Sequence, residues 1–342
     1  MILRRTVAEK LTVAICTHNR AAILDETLAA LAAAEPPRAA ALEVLIVLNA
    51  CSDDSPAVVE RWRGRLPIAV AEEPRPGVSH ARNAAIDAAT GSLILWIDDD
   101  ATPLPGWLRA YEAAAARWPD TAFFGGTIRP RFLGTPPRWL LEALPAIAAA
   151  FGDHPGGADG EAVRPGATPF AGNLAVRVAV QRRRRFDTGL GRAPVGWVRG
   201  GEEAAFLETL LLEGANGRWV TGAEVEHRIG PEKQTRRFVR ESYYGYGRDR
   251  GLAARRLAER NAALARGAAD PAIDWAAPPE VLARVYPRRR ETGPLGDALG
   301  LAWVELRTLY SRFFRPPRSW AAHRSHASAL AGYWRSRYGR SS

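Results

Sequence analysis

The apolar positions of this chain fall into a repeating rhythm over its first hundred residues. Residues 11–16 form a short β-rich run closed by the polar turn Thr17-His18-Asn19-Arg20. Residues 21–34 then set Ile23, Leu24, Thr27, Leu28 and Leu31 at three- and four-residue spacing, one face of a helix. A second buried strand over 44–48 precedes the turn-formers Asn49-Ala50-Cys51-Ser52-Asp53-Asp54. A helix over 55–63, a strand over 68–71 and a helix over 79–89 follow, with Gly91 placed to close the last as a C-cap. The third buried strand, 92–97, runs directly into Asp98-Asp99-Asp100. Alternation of strand and helix predicts an α/β fold with a mostly parallel sheet and helices on both faces. Such sheets bind ligands at the carboxyl ends of their strands, so the polar residues after Cys16, Leu48 and Ile97 matter most.

Beyond Phe124 the rhythm changes. A helix is expected over 138–151, a mobile Gly/Pro/Asp-rich loop over 152–168, a strand over 170–178 and a helix over 201–213. Residues 219–225 read as a strand and 233–260 as a basic helix. A Pro-containing linker near 271–294 leads to helices over 300–314 and 319–338, parted by Pro316-Pro317. No internal repeat is visible.

The 342 residues suffice for two domains, and 47% hydrophobic with 25% charged residues is the balance of a globular protein. No apolar stretch reaches the length of a bilayer span, and the first ten residues carry no apolar signal core. Cys16 and Cys51 are too few for a disulfide framework, so a cytoplasmic location is expected. The net charge of +10 is unevenly placed. Residues 231–342 hold 22 basic and 10 acidic side chains, a net of +12, and residues 1–230 hold 25 and 27, a net of −2. Any contact with an anionic lipid or nucleic acid belongs to the C-terminal third.

The carboxylate triplet is the strongest chemical feature. Three adjacent Asp at a strand end repel one another unless a cation offsets them, and oxygen ligands suit Mg²⁺ or Mn²⁺ held together with substrate phosphates. A solvated acidic turn is the plainer alternative. Glu202 and Glu203 open a helix, where the macrodipole favours acids, and a paired acid there also suits a general base. His227, Arg82 and Asn173 each have a purely structural reading as well. The turn after the first strand has no glycine, and no Gly-Lys-Ser/Thr occurs. A dinucleotide fingerprint and a P-loop are thereby excluded.

Five ordered segments (13–20, 47–53, 77–83, 96–108 and 170–206) together resemble the family 2 glycosyltransferases, which have the GT-A fold and use nucleotide-diphosphate sugars. The resemblance covers about residues 11–250. It implies a GT-A catalytic domain over 1–230, divided near residue 125 into a nucleotide-sugar half and an acceptor half. A basic helical extension over 231–342 completes the expected organisation. It places Thr17, His18, Asn19, Arg20, Asn49 and Arg82 at the nucleotide, with His18 in an aromatic slot and Leu48 departing from the usual acid. Asp98 falls near the ribose, Asp99 near the donor sugar, and Asp100 on a divalent cation, with Asp98 and His227 as further ligands. Gly172 and Asn173 match the acceptor side. Glu203 matches the catalytic base, one methylene longer than the family's Asp, with Glu202 in reserve. Lys233 and Arg236 fall where the family closes over metal and diphosphate.

The implied reaction is inverting transfer from a nucleotide-diphosphate sugar donor to a hydroxyl of a saccharide or lipid-linked saccharide, in cell-surface polysaccharide or glycolipid synthesis. Aromatic and Arg residues from Arg236 to Arg248, and again from Trp303 to Arg315, suit either an anionic membrane face at the inner side of the plasma membrane or a helical cap. A polyprenyl-phosphate sugar synthase of the same fold is the nearest alternative. A non-catalytic sugar-nucleotide module and a nucleic-acid binder stand further off, the latter because it leaves the triplet and Glu203 unexplained.

Overall fold

A computed structural model of the chain describes residues 10–191 and 201–243. The expected helices beyond residue 243, the linker near 271–294 and the aromatic positions from Tyr244 onward lie outside the described residues. The chain forms two compact units: one comprises Met1–Leu133 and Phe151–Ile229, the other Gly134–Ala150 and Gly230–Ser342.

In the first unit, β1 (Lys10–Thr17), α1 (Ala21–Ala33), β2 (Ala41–Asn49), α2 (Ser55–Trp62), β3 (Ile68–Glu73), α3 (Val78–Ala88) and β4 (Leu93–Ile97) follow the expected alternation. β1 pairs in parallel with both β2 and β4, and β2 with β3. Thr17 lies opposite Leu48 and Ala14 opposite Trp96, so the carboxyl ends of β1, β2 and β4 meet at one edge. The period-2 alternation divides β1 between two cores. Leu11, Val13 and Ile15 pack with Leu24 and Leu28 of α1 and Val58 of α2, whereas Ala14 packs with Ala81 and Ile86 of α3. Each such buried aliphatic contributes about 1.5–3 kcal/mol.

Gly91 does not cap α3. The helix ends with extended Ala89, whose N–H bonds Ala85 O, and Gly91 is needed because a Cβ there would lie 2.6 Å from Lys10 O. Past β4 the chain adds β5 (Ala101–Pro103), α4 (Trp107–Arg117) and β6 (Phe123–Phe132), for which the apolar pattern gave no expectation. Gly125-Gly126 and Pro130 dilute the strand signal of β6. β7 (Asn173–Arg177), α6 (Val178–Arg183), α7 (Glu202–Leu212) and β8 (Gly217–Ile229) complete the unit, in the sheet order β3-β2-β1-β4-β7-β6-β8-β5. β7 enters antiparallel between β4 and β6, so the sheet is parallel in its first half and mixed in its second.

The loop over 152–168 is pinned rather than loose. His154 bridges to Ile128 and packs against the rings of Phe170 and Trp219 at 4.8 and 5.0 Å. In the second unit, α5 (Arg138–Ile147) ends earlier than the pattern predicts, in a short 3-10 turn. There Arg236 stacks over the Trp139 ring at 5.2 Å, and the Tyr243 hydroxyl donates to Ala146 O.

Candidate active site

The edge where β1, β2 and β4 end collects the polar residues that the sequence singles out. After β1, Asn19 adopts a left-handed conformation (φ 52°), which turns the chain sharply into α1. Its Oδ1 accepts the Ser52 N–H at 2.7 Å, while His18 Nδ1 lies 2.6 Å from Asn49 O. Asn49 is buried and its amide is fully used: Nδ2 donates to Glu73 O and Arg75 O, and Oδ1 accepts from Gly77 N. Its side chain therefore fixes the link between β3 and α3, which differs from the nucleotide contact expected of it.

Asp99 and Asp100 are buried, whereas Asp98 is half exposed. Thr17 Oγ1 donates to Asp99 Oδ2 at 2.7 Å. The Arg20 guanidinium bridges Asp99 Oδ1 and Asp100 Oδ2. Burial pushes the Asp99 carboxyl up to about 6, against the pull of Arg20 and with help from the charge of Asp100. Arg20 thus faces the carboxylates as a built-in counter-charge.

Arg228, on β8, is a residue that sequence reasoning missed. Its buried guanidinium donates to Ile23 O, Thr27 Oγ1, Ala101 O and Thr102 Oγ1, and its backbone N–H bonds Asp100 O. It holds the triplet against α1 and β5. An Arg following a candidate ligand His in a strand was the available signal.

The neighbouring His227 points its Nε2 at Asp100 Oδ1, 3.3 Å away, and its Nδ1 at Phe151 O, 2.7 Å away. A carbonyl can only accept, so Nδ1 carries a proton, and Nε2 is the nitrogen left to face a cation. Nε2 and the Asp100 carboxylate oxygen, 3.3 Å apart, are the donor types that would hold a divalent cation between them. Among the described residues no group of three or more His, Cys, Asp or Glu side chains converges on one point. The two-ligand set of Asp100 and His227 fits a cation completed by phosphate oxygens; Asp98 faces Arg82 instead, at 3.8 Å.

On the far side of β4, Gly172 lies so near the triplet that a Cβ would come within 2.9 Å of Asp98 Oδ2. Asn173 does not line an acceptor space: it is wholly buried and saturated. Its Oδ1 accepts from Trp107 Nε1 and Tyr111 OH, and its Nδ2 donates to Thr127 O and Ala223 O. This amide ties β7 to α4, β6 and β8 behind the site.

Gly201, left-handed at φ 81°, starts α7 and sets Glu202 and Glu203 in its first turn. Arg82 of α3 bonds Glu202 Oε1, reaches to 3.8 Å from Asp98 Oδ1 and stacks over the Phe186 ring at 5.4 Å. Oε2 of Glu202 and Oε2 of Glu203 are both buried without a hydrogen-bond partner. Burial, then the charge of Glu202, raise the proton affinity of Glu203, and Arg82 opposes them. Lys233 and Arg236 belong to the second unit.

Residues 12–170 match the model of the family described as Glycosyl transferase family 2. The succinoglycan biosynthesis protein ExoM of Rhizobium meliloti (strain 1021) is 35% identical over 131 residues, 37% of this chain and 41% of that protein. A glucosyl-dolichyl phosphate glucuronosyltransferase of Haloferax volcanii is 25% identical over 154 residues, 42% of this chain and 48% of that protein. The chain spans less than half the length of these curated relatives. The solved mannosyltransferase PcManGT of Pyrobaculum calidifontis, in complex with GDP-Man and Mn2+, shares the fold. It superposes with a TM-score of 0.56 at 19% identity, over 98% of this chain and 89% of that one. Glu202, Glu203 and His227 lie beyond the family match, whereas the strand-end residues from Thr17 to Asp100 lie within it. The fold is of the GT-A type, and the match to glycosyl transferase family 2 covers residues 12–170, the strand-end triplet among them.

Proposed function

We propose that this chain transfers a sugar from a nucleotide-diphosphate donor to a hydroxyl acceptor, with inversion at the anomeric carbon. The observation that carries the reading is the meeting of the buried Asp99–Asp100 pair, Arg20 and His227 Nε2 at the carboxyl edge of the sheet. His18 and Asn19 flank the nucleoside position, and Asn49 supports it from below through the contacts it makes. Asp98, half exposed, is the member of the triplet free to meet the donor's ribose. Asp100 and His227 would hold a Mn²⁺ or Mg²⁺ ion. Such an ion supplies Lewis-acid stabilisation of the departing diphosphate.

Glu203 takes the proton of the acceptor hydroxyl while that oxygen attacks the anomeric carbon, and the carbon–phosphate-oxygen bond breaks on the opposite side. Its Oε2 has no partner, as a proton acceptor requires, and Glu202 is already engaged by Arg82. The acceptor is a saccharide or lipid-linked saccharide of cell-surface polymer or glycolipid synthesis, a class supported by the names of the two partial relatives. No helix among the described residues is long and apolar enough to cross a membrane. A lipid-linked acceptor is then met at the inner face of the plasma membrane, with the basic C-terminal third (Arg236, Arg237 and Arg240 at its start) against anionic headgroups.

Thermal-shift titration with UDP, GDP and TDP, with and without Mn²⁺, tests the donor site. Metal-dependent stabilisation by one nucleotide, lost in Asp100→Ala, is the expected result. Absence of binding by all three with metal present would sink the reading.

A further inference from the structure

We propose that Arg82 and Glu202 form a buried positioning pair whose task is to set the place and the electrostatic surroundings of the Glu203 carboxyl. The proposal rests on the reading of Glu203 as the base, and it moves Arg82 from the nucleotide to the acceptor chemistry.

The geometry begins on α3. Ser79, Arg82 and Asn83 share one face of this helix, at three- and four-residue spacing. All three hold the chain segment that leads toward α7. Ser79 Oγ donates to Leu190 O at 2.8 Å. Asn83 clamps Phe186 from both sides, its Nδ2 donating to Phe186 O and its Oδ1 accepting Phe186 N, each at 2.9 Å. Between them Arg82 runs over the Phe186 ring to the Glu202 carboxylate. Gly191 closes the packing: at φ 98° it has no Cβ, and one there would meet Val78 Cγ1 at 2.7 Å and Glu202 Cδ at 3.5 Å.

Only about 7% of the Arg82 side chain and 6% of Glu202 is exposed. A nucleotide contact needs an accessible guanidinium edge. This one is spent on Glu202, with Asp98 at the rim of its reach. An ion pair this deep costs desolvation on both partners and by itself is weak evidence of a stability role. What it does fix is the first turn of α7, and Glu203 is the next residue. The charged groups acting on Glu203 are Glu202 from its own helix and Arg82 from α3. Behind Arg82 stand Asp98 at the end of β4 and the half-buried Cys16 thiol of β1. Removing either member of the pair must therefore change the proton affinity of Glu203, and in opposite directions.

The test is a ¹³C-carboxyl NMR titration of the full chain labelled at Glu, with the Glu203 signal assigned by its loss in Glu203→Gln. In Glu202→Gln the Glu203 midpoint moves down by about one pH unit, because a like charge has gone; in Arg82→Gln it moves up by about one unit. The double variant returns close to wild type. Calorimetry with UDP and GDP plus Mn²⁺ accompanies it, and Arg82→Gln keeps the wild-type nucleotide affinity within about twofold.

An unmoved midpoint in Glu202→Gln overturns the pair, as does a tenfold loss of nucleotide affinity in the Arg82 variant. If Arg82→Gln does not fold, Glu202→Gln carries the titration alone and Arg82→Lys carries the calorimetry. The two readings fail separately. Transfer activity surviving in Glu203→Gln defeats the base assignment, whereas loss of activity there with unmoved midpoints defeats only the positioning pair.

Discussion

The two halves of the sheet treat their carboxylates in opposite ways. At the ends of β1 and β4, Asp99 is met by Thr17 and Arg20, and Arg228 braces the peptides around the triplet. At the start of α7, Glu202 and Glu203 each keep a buried oxygen with no donor at all. A site that must hold an anionic donor and a cation benefits from pre-arranged counter-charges, because nothing then has to reorganise on binding. A base must instead stay unsatisfied until its proton arrives, and an unpaired buried oxygen costs about 1–3 kcal/mol of stability. On the proposed reading, the donor edge is built for binding and the α7 edge for reaction.

That contrast is broken most severely at Glu203. Glu203→Gln keeps the shape and removes the base, so turnover should fall by about 10²–10⁴-fold while metal-dependent nucleotide binding persists. Loss of binding together with turnover, measured by calorimetry and steady-state assay, would erase the division between the halves. His227→Ala is the converse variant: the Mn²⁺ requirement for nucleotide binding should weaken by at least about tenfold, with the Glu203 titration unmoved. A Mn²⁺ titration followed by thermal shift reads it.

The scaffold between the halves is sharpened by Asn173→Ala. It strands two donors and two acceptors in a fully buried place, and urea unfolding should show a loss of about 2–4 kcal/mol. Asn173 is therefore a stability residue, and a purely catalytic loss with unchanged unfolding would refute that.

The smallest effect concerns acid stability at the donor edge. Arg75 beside Glu73 holds that carboxyl down at about 2, below the ordinary 4.5. A depressed carboxyl contributes stability that is fully present above about pH 4.5 and disappears as pH falls toward 2. Glu73→Gln should lower the melting temperature modestly at pH 7 to 8, where the wild type holds the full contribution, and flatten its fall between about pH 4.5 and 2, so that the two curves converge in acid.

Much of the donor edge was legible in the sequence because its physics is local. A continuous apolar run such as Leu93–Ile97 followed by three Asp is a buried parallel strand with an acidic end, and the structure places it so. The second half was harder for identifiable reasons. β6 begins Phe-Phe and then passes through Gly-Gly and ends in alternating Arg and Pro, so its strand character comes from pairing with β7 and β8. Asn173 reads as a turn residue or an acceptor contact until Trp107 and Tyr111, more than sixty positions earlier, are brought onto it. Gly91 looks like a helix cap because the reason for it, the passage of Lys10 and Thr12 beside it, lies on another strand.

His227 and Arg228 are neighbours on β8, and strand geometry sends them to opposite faces. One meets the carboxylate of Asp100 and the other grips the backbone around it. A one-residue insertion or deletion after Glu224 would exchange the two, and lose the ligand and the brace in a single step. The pairing of β6 with β8 already skips between Gly125 and Thr127, where β8 carries extra residues including the exposed Thr221 and Gly222. Length changes during divergence are expected to accumulate at that bulge, which absorbs them before they reach the chemistry. The distance from Glu224 to Arg228 is thus under a stricter rule than the sequence between them.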